Sequence, residues 1–165
     1  MTRINLVDPD HLTQVHAVAE YKEITQFLHI VKKRVEKNHP MDDLPDRYTL
    51  NGGHCKFFFN KGLYLYKRYE MLYNNLINRN ITIDKTRYKA HRQRFKEAYD
   101  DYLWCDYSPT KEDYRIAIVR ILERISLKPA MYKDKERFIS NINYYGDLNE
   151  FTPYLPRSTS FAIAS

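Results

Sequence analysis

Glycine is scarce in this chain, with 4 among 165 residues. That scarcity speaks against glycine-rich loops that cradle phosphates and against sheet-rich folds built on tight turns. Cysteine is rarer still. Cys55 and Cys105 form neither a CxxC pair nor a metal-ligand spacing, so two reduced, buried thiols are expected. No apolar run approaches the ~20 residues that cross a bilayer. The N-terminus also lacks the apolar core of a signal peptide, so a cytoplasmic protein with no membrane partner is expected. Acidic residues are outnumbered, 21 against 27 Lys and Arg, which leaves a formal net charge of +6. A pI near 9.2 points toward a polyanionic partner. Aromatics are not in deficit: they make up 15% of the chain, and 15 of them are Tyr. Positive charge attracts phosphates, and exposed aromatic faces stack on bases.

The length suits one domain with its own core. Asp8-Pro9-Asp10 reads as a helix start, with a capping Asp, Pro at the first helical position and acids in the first turn. Leu12, Val15, Ala19, Phe27, Val31 and Val35 then recur at helical spacing, which predicts one long helix ending near Asn38-His39-Pro40. Before it, Ile4 and Leu6 alternate with Arg3 and Asn5, as in an extended segment with one buried side. The region 41–60 reads as irregular, with Gly52-Gly53 as a turn. Leu65, Tyr69, Leu72 and Leu76 predict a second helix from Lys61 to about Arg79, with Lys67, Arg68, Glu70, Asn74 and Asn78 on its opposite face. Tyr88, Phe95 and Tyr99 are spaced as a weaker helix within the charged stretch 84–102. Ser108-Pro109-Thr110 opens a third clear helix, buried through Tyr114, Ile118, Ile121, Leu122 and Ile125 and stopped by Lys128-Pro129. The expected architecture is all-α: a single domain over residues 1–165 with about three main helices. It carries an extended N-terminal segment and a partly irregular tail over 133–165.

The opening Met1-Thr2-Arg3-Ile4-Asn5-Leu6 can be read as chemistry. A small residue after the initiator is the usual condition for removing Met1, which would give Thr2 a free α-amine. Such an amine titrates near ~7.7–8.0, against ~10.4 for lysine, so a useful minority is uncharged and nucleophilic at neutral pH. An unprotonated amine can displace a leaving group from carbon and form an imine. Many proteins begin Met-Thr and do nothing with it, so the terminus alone does not decide. On the first helix His16, Glu20 and Glu23 lie at i, i+4 and i+7, which is one face. Its bland reading is a solvated acidic edge paired with lysines. For Thr2 to meet Glu23, the N-terminal segment must run back along the helix. From Asp10 to Glu23 a helix climbs about 20 Å, and the chain from Thr2 to Asp10 reaches at most about 26–29 Å. The meeting is permitted.

Met1-Thr2-Arg3-Ile4-Asn5-Leu6-Val7, then His16, then Ala19-Glu20-Tyr21-Lys22-Glu23-Ile24 resembles the start of the pyrimidine-dimer DNA glycosylases, the endonuclease V family of phages and algal viruses. Thr49-Leu50-Asn51-Gly52-Gly53-His54, Phe57-Phe58 and Lys61-Gly62 are similar to that family's central block, and Tyr64 through Tyr69 continue it. Asp106-Tyr107-Ser108-Pro109-Thr110 and Arg124-Ile125 through Lys128-Pro129 with Tyr132-Lys133 are similar to its third helix and exit. The blocks run in order through roughly the first four-fifths of the chain, and the N-terminal one is the specific part.

The resemblance implies an all-α, monomeric enzyme of base-excision repair. Its partner is double-stranded DNA containing damaged bases, and it uses neither metal nor cofactor. It implies that the Thr2 amine attacks C1′ of a nucleotide in an ultraviolet-induced cyclobutane pyrimidine dimer, displaces the base, and then cuts the strand by β-elimination. Glu23 matches the acid/base carboxylate, which suits a group beside a cationic imine. Arg3 and Lys22 match positions that hold phosphates and tune the amine, since a neighbouring cation lowers an amine's pKa. Arg120 and Arg124 fall at further basic DNA contacts on the third helix, with a solvated basic face as the alternative. His16 stands where the family carries a histidine, either as a DNA contact or as a structural hydrogen bond. Lesion access in the family involves nucleotide flipping, which costs least at damaged sites.

Departures fall on recognition. Gln26 replaces a second arginine, Lys22 replaces an arginine and loses its planar fork, and Met131-Tyr132-Lys133 replaces Trp-Tyr-Lys. Tyr144-Tyr145-Gly146 resembles the family's Tyr-Tyr-Gly beyond an insertion. Two alternatives keep the same residues: a glycosylase/lyase for another damaged or modified base, and a non-catalytic DNA-binding protein on the same scaffold.

Overall fold

The computed structural model describes residues 4–38 and 41–156. Among them the chain is all-helical, and the one extended pairing is an isolated bridge between Lys61 and Trp104. Five helices reach ten residues or more, where about three main ones were expected: α1 (Gln14–Glu23), α2 (Gln26–Glu36), α4 (Gly62–Asn78), α5 (Lys85–Ala98) and α6 (Lys111–Leu127). Three short ones are α3 (Gly52–Phe57), α7 (Lys135–Ile139) and α8 (Leu148–Phe151). No described helix is long and apolar enough to cross a membrane.

The expected single first helix is two. Ile24 still donates to the Glu20 carbonyl at 2.8 Å, but the Thr25 hydroxyl donates to the Lys22 carbonyl at 3.1 Å. A threonine that bonds back to a carbonyl of the preceding turn bends the helix it follows, and the chain restarts at Gln26. The start was also placed too early. Asp8-Pro9-Asp10 makes a turn, with the Asp10 amide donating to Asp8 Oδ1 at 2.8 Å, and α1 begins only at Gln14. The turn signal at Gly52-Gly53 proves to open α3.

The described residues fall into two compact units. The first comprises residues 4–5, 16–38 and 41–109. Its buried side chains include Phe27, Phe57, Phe58, Leu65, Tyr69, Leu72 and Phe95, each contributing roughly 1.5–3 kcal/mol relative to exposure. α4 ends in a Schellman motif. Ile81 donates to the Leu76 carbonyl and Asn80 to that of Ile77, with Asn80 at φ 59°, a conformation asparagine tolerates better than most residues. The 84–102 stretch forms a firm helix because Asp84 caps it, accepting from the amides of Thr86 and Arg87 at 2.9 and 3.0 Å. Gly62 opens α4 where a Cβ would come within 2.6 Å of the Tyr99 ring and 2.8 Å of Trp104. Cys55 is half-buried and Cys105 exposed; both are free, so their expected burial does not hold.

The second unit comprises residues 6–15 and 110–156. A capping box starts α6: Thr110 Oγ1 accepts from the Asp113 amide at 3.2 Å, and Asp113 Oδ2 accepts from the Thr110 amide at 2.7 Å. Ile118, Ile121, Leu122 and Ile125 form its buried stripe, as their spacing predicts. Where a partly irregular tail was expected, the described part up to residue 156 carries α7 and α8, and Phe138, Ile139, Ile142 and Phe151 are each buried. Tyr145 fastens the early segment: its hydroxyl accepts from the Asp8 amide at 2.9 Å and lies 2.6 Å from His11 Nδ1. Asp134 Oδ2 accepts from the Gln14 amide at 2.8 Å, satisfying a donor at the start of α1.

Candidate active site

The site is built on α1 in the first unit. Of the residues expected to act there, Thr2 and Arg3 lie outside the described residues. Glu23 closes α1 and is half-buried, Lys22 beside it is exposed, and His16 is half-buried near the helix start. Burial, reinforced by the nearby charge of Glu20, pushes the Glu23 carboxyl above the usual carboxylate range. A carboxyl tuned upward takes and returns protons more readily near neutral pH.

Glu20 is not part of a solvated acidic edge. Its side chain is fully buried, 0% exposed, and forms a two-point ion pair with Arg68 on α4, itself 4% exposed. Arg68 Nε donates to Glu20 Oε1 at 2.5 Å and Nη2 to Oε2 at 2.9 Å. Two oxygens facing two parallel donors is the geometry that guanidinium and carboxylate share. Sequence reasoning put Arg68 on the polar face of α4. It sits instead on the buried stripe with Leu65, Tyr69, Leu72 and Leu76, where Asn75 is also buried. The signal was available, since residue 68 follows 65 by three and precedes 72 by four.

The same carboxylate holds the chain start. The Asn5 amide donates to Glu20 Oε1 at 3.1 Å, and Asn5 Nδ2 donates to Oε2 at 3.0 Å. One residue earlier, the Ile4 amide donates to His54 Nε2 at 2.9 Å, and the Tyr48 hydroxyl donates to the Ile4 carbonyl at 3.2 Å. His54 must therefore be neutral with its proton on Nδ1, which faces the Thr49 carbonyl at 3.0 Å. Burial holds its pKa below the usual histidine value, in agreement with that tautomer. Thr49 and His54 flank Gly53, where a Cβ would meet Thr49 Cγ2 at 2.6 Å. The segment from Thr49 to His54 thus builds a receptor for the backbone at Ile4. Ile4 itself is 1% exposed, as the alternation of apolar residues predicts.

Lys61 is buried beneath this region, a role the sequence did not suggest. Its Nζ donates to the Phe57 carbonyl at 2.7 Å and lies 3.9 Å from the Phe57 ring centroid. Burial lowers its pKa.

Arg120 and Arg124 belong to α6 in the second unit, one turn apart and both half-buried. Arg120 pairs with Glu123 at 3.5 Å, while Arg124 Nε is buried with no hydrogen-bond partner among the described residues.

The sequence profile of the pyrimidine dimer DNA glycosylase family matches residues 1–89. That is more than half of the chain and covers α1, Glu23, the Ile4 receptor and the Glu20–Arg68 pair. The chain belongs to the pyrimidine dimer DNA glycosylase family. Membership implies a DNA-repair glycosylase with DNA as substrate.

Proposed function

We propose that the chain excises cyclobutane pyrimidine dimers with the α-amine of Thr2 and then cuts the strand as an abasic-site lyase. The amine nitrogen bonds to C1′ as the bond from C1′ to the base breaks and its electrons leave with the base. Loss of a proton from nitrogen and opening of the sugar give the imine. Removal of a C2′ proton then expels the 3′ phosphate, and water later frees the amine. Glu23 carries the protons and, ionised, stabilises the cationic imine. Arg3, His16, Lys22, Arg120 and Arg124 contact the DNA.

One observation supports this reading above the others: the chain is pinned at Ile4 and Asn5 by His54 and Glu20. Two residues span at most about 7 Å. Glu23 stands three residues after Glu20 on α1, with Cβ atoms about 5–6 Å apart at that spacing. Those two lengths are short enough to support a reading in which the Thr2 amine works with Glu23. A buried carboxylate paired with Arg68 and used to fix Asn5 has an evident purpose if the residues before it react.

The test uses duplexes carrying a single cyclobutane thymine dimer, a single abasic site, or neither. The protein should cut the first two and spare the third. Glu23→Gln should slow cutting by about 10²–10⁴-fold while duplex affinity stays within a few-fold. An equal loss of affinity would reduce Glu23 to a structural part, and cutting of an unrelated lesion in preference to the dimer would reassign the substrate.

A further inference from the structure

The first unit carries a second basic face beside α1 that the chemistry above does not use. α5 holds six Lys and Arg residues and one acid, Glu97, over a length of about 21 Å. Arg92 is engaged with Glu70 at 2.7 Å and with the Tyr66 hydroxyl. Arg87 and Arg94 are exposed and lie on the other flank of the helix, seven residues apart and hence on one side with His91 between them. α5 packs against α2, where His29 is exposed and Lys33 follows one turn on, also exposed. Burial lowers the pKa of His91, and the neighbouring Arg94, Arg87 and His29 act in the same direction.

An aromatic floor joins this face to α1. Tyr21 of α1 stacks on Tyr69 at 4.9 Å between centroids, with its hydroxyl 3.0 Å from that of Tyr69. Tyr69 meets Tyr88 of α5 at 5.6 Å, and the Tyr69 hydroxyl lies 2.9 Å from His91 Nδ1. Tyr88 stacks in turn on Tyr73 at 3.6 Å. Tyr21 directly precedes Lys22 and Glu23, so the basic face begins within two aromatic rings of the reacting end of α1.

We infer that the face made by Lys33, Arg87 and Arg94, with His29 beside them, holds the sugar-phosphate backbone of duplex DNA flanking the lesion. This rests on the proposed DNA-cutting function. The chemistry is complementary. Cations gathered on one side raise each other's energy until an anion neutralises them, and a duplex strand presents a phosphate every ~3.4 Å of axis. A helix of this length lies alongside several such phosphates. Contacts of this kind bind without reading sequence, which suits an enzyme searching undamaged DNA.

The experiment is binding to a fluorescent, undamaged duplex, followed by anisotropy between about 50 and 200 mM salt. Wild type should lose affinity steeply with salt. Arg87→Ala/Arg94→Ala should make the slope of log affinity against log salt shallower by about 2, roughly one for each phosphate contact removed. Arg87→Lys/Arg94→Lys should restore most of the slope, since point charge suffices. Both pairs of substitutions are at exposed helical positions, and circular dichroism checks the fold. If wild type binds steeply and the alanine pair is equally steep, the inference is overturned while the DNA-cutting function stands. If wild type shows no salt-dependent duplex binding, both fall. Tighter binding of double-stranded RNA than of DNA would overturn the assignment to DNA.

Discussion

Replacing Arg68 with Met keeps the length of the side chain and removes its charge from beneath α1. The Glu20 carboxylate would then lie buried with only the Asn5 amide and Asn5 Nδ2 of its hydrogen-bond partners described above. The pair is almost wholly enclosed, with side-chain exposures of 4% and 0%. A surface pair is worth about 0–1 kcal/mol, whereas breaking a buried one by removing a single partner costs about 3–5 kcal/mol. For a chain of this size that corresponds to a fall in Tm of roughly 6–20 °C, at about 2–4 °C per kcal/mol. Glu20→Leu should cost a similar amount, because it leaves the guanidinium buried and frees Asn5. The double variant Glu20→Leu/Arg68→Met should be clearly more stable than the sum of the two losses, since neither charge is then stranded. Urea unfolding of the four proteins measures this. If Arg68→Met loses less than about 1 kcal/mol, or if the two losses simply add, the pair is not the buried clamp described here.

Three further outcomes are expected. Acidification should weaken the fold through His54. Its folded pKa lies below the ordinary ~6.5, so the unfolded chain binds more protons between those values, and the contribution present above ~6.5 is lost as pH falls. The urea midpoint of wild type should drop across that window by more than that of His54→Gln, and parallel curves would show that His54 is not held neutral. Glu23, with its carboxyl raised by burial, should give single-turnover cutting an acid limb above the ordinary carboxylate value of about 4.3; a limb at or below that value would contradict the assignment. Gly62→Ala should destabilise by about 1–3 kcal/mol from the clash with Tyr99 and Trp104, and a variant as stable as wild type would show that the rings yield freely.

How much of this was legible in the residues depended on whether local signals agreed. The all-helical class, α4, α6 and the stop at Lys128-Pro129 followed from apolar spacing and capping residues acting together, as at Thr110 and Asp113. The alternation at Ile4 and Leu6 marked a segment whose apolar side chains are both buried. The break between α1 and α2 was not legible, because Ile24 and Thr25 continue an apolar rhythm and the turn depends on one hydroxyl choosing a carbonyl. α3 was missed because a pair of glycines normally ends structure, and here Asn51, at φ 61°, supplies the turn before it. The charged residues of the site were partly misread for one physical reason. Spacing places a residue on a face, but whether a charge there is solvated depends on a partner distant in sequence. Glu20 and Arg68 are 48 residues apart and only their pairing makes either one's burial tolerable. His54 stands in the segment that resembles the family's central block, yet its role as acceptor for Ile4 needs a contact 50 residues away.

The central claim is that the chain's own first amine forms the bond to DNA. Sodium borohydride reduces an imine to a stable amine, so mixing the protein with a duplex containing one abasic site and adding borohydride should yield a covalent protein–DNA species. Protease digestion and mass spectrometry should then place the deoxyribose remnant on the peptide beginning at Thr2. Capping the terminal amine beforehand should abolish the adduct. Attachment to a lysine side chain, or no trapped species with protein that still cuts the strand, would contradict the account.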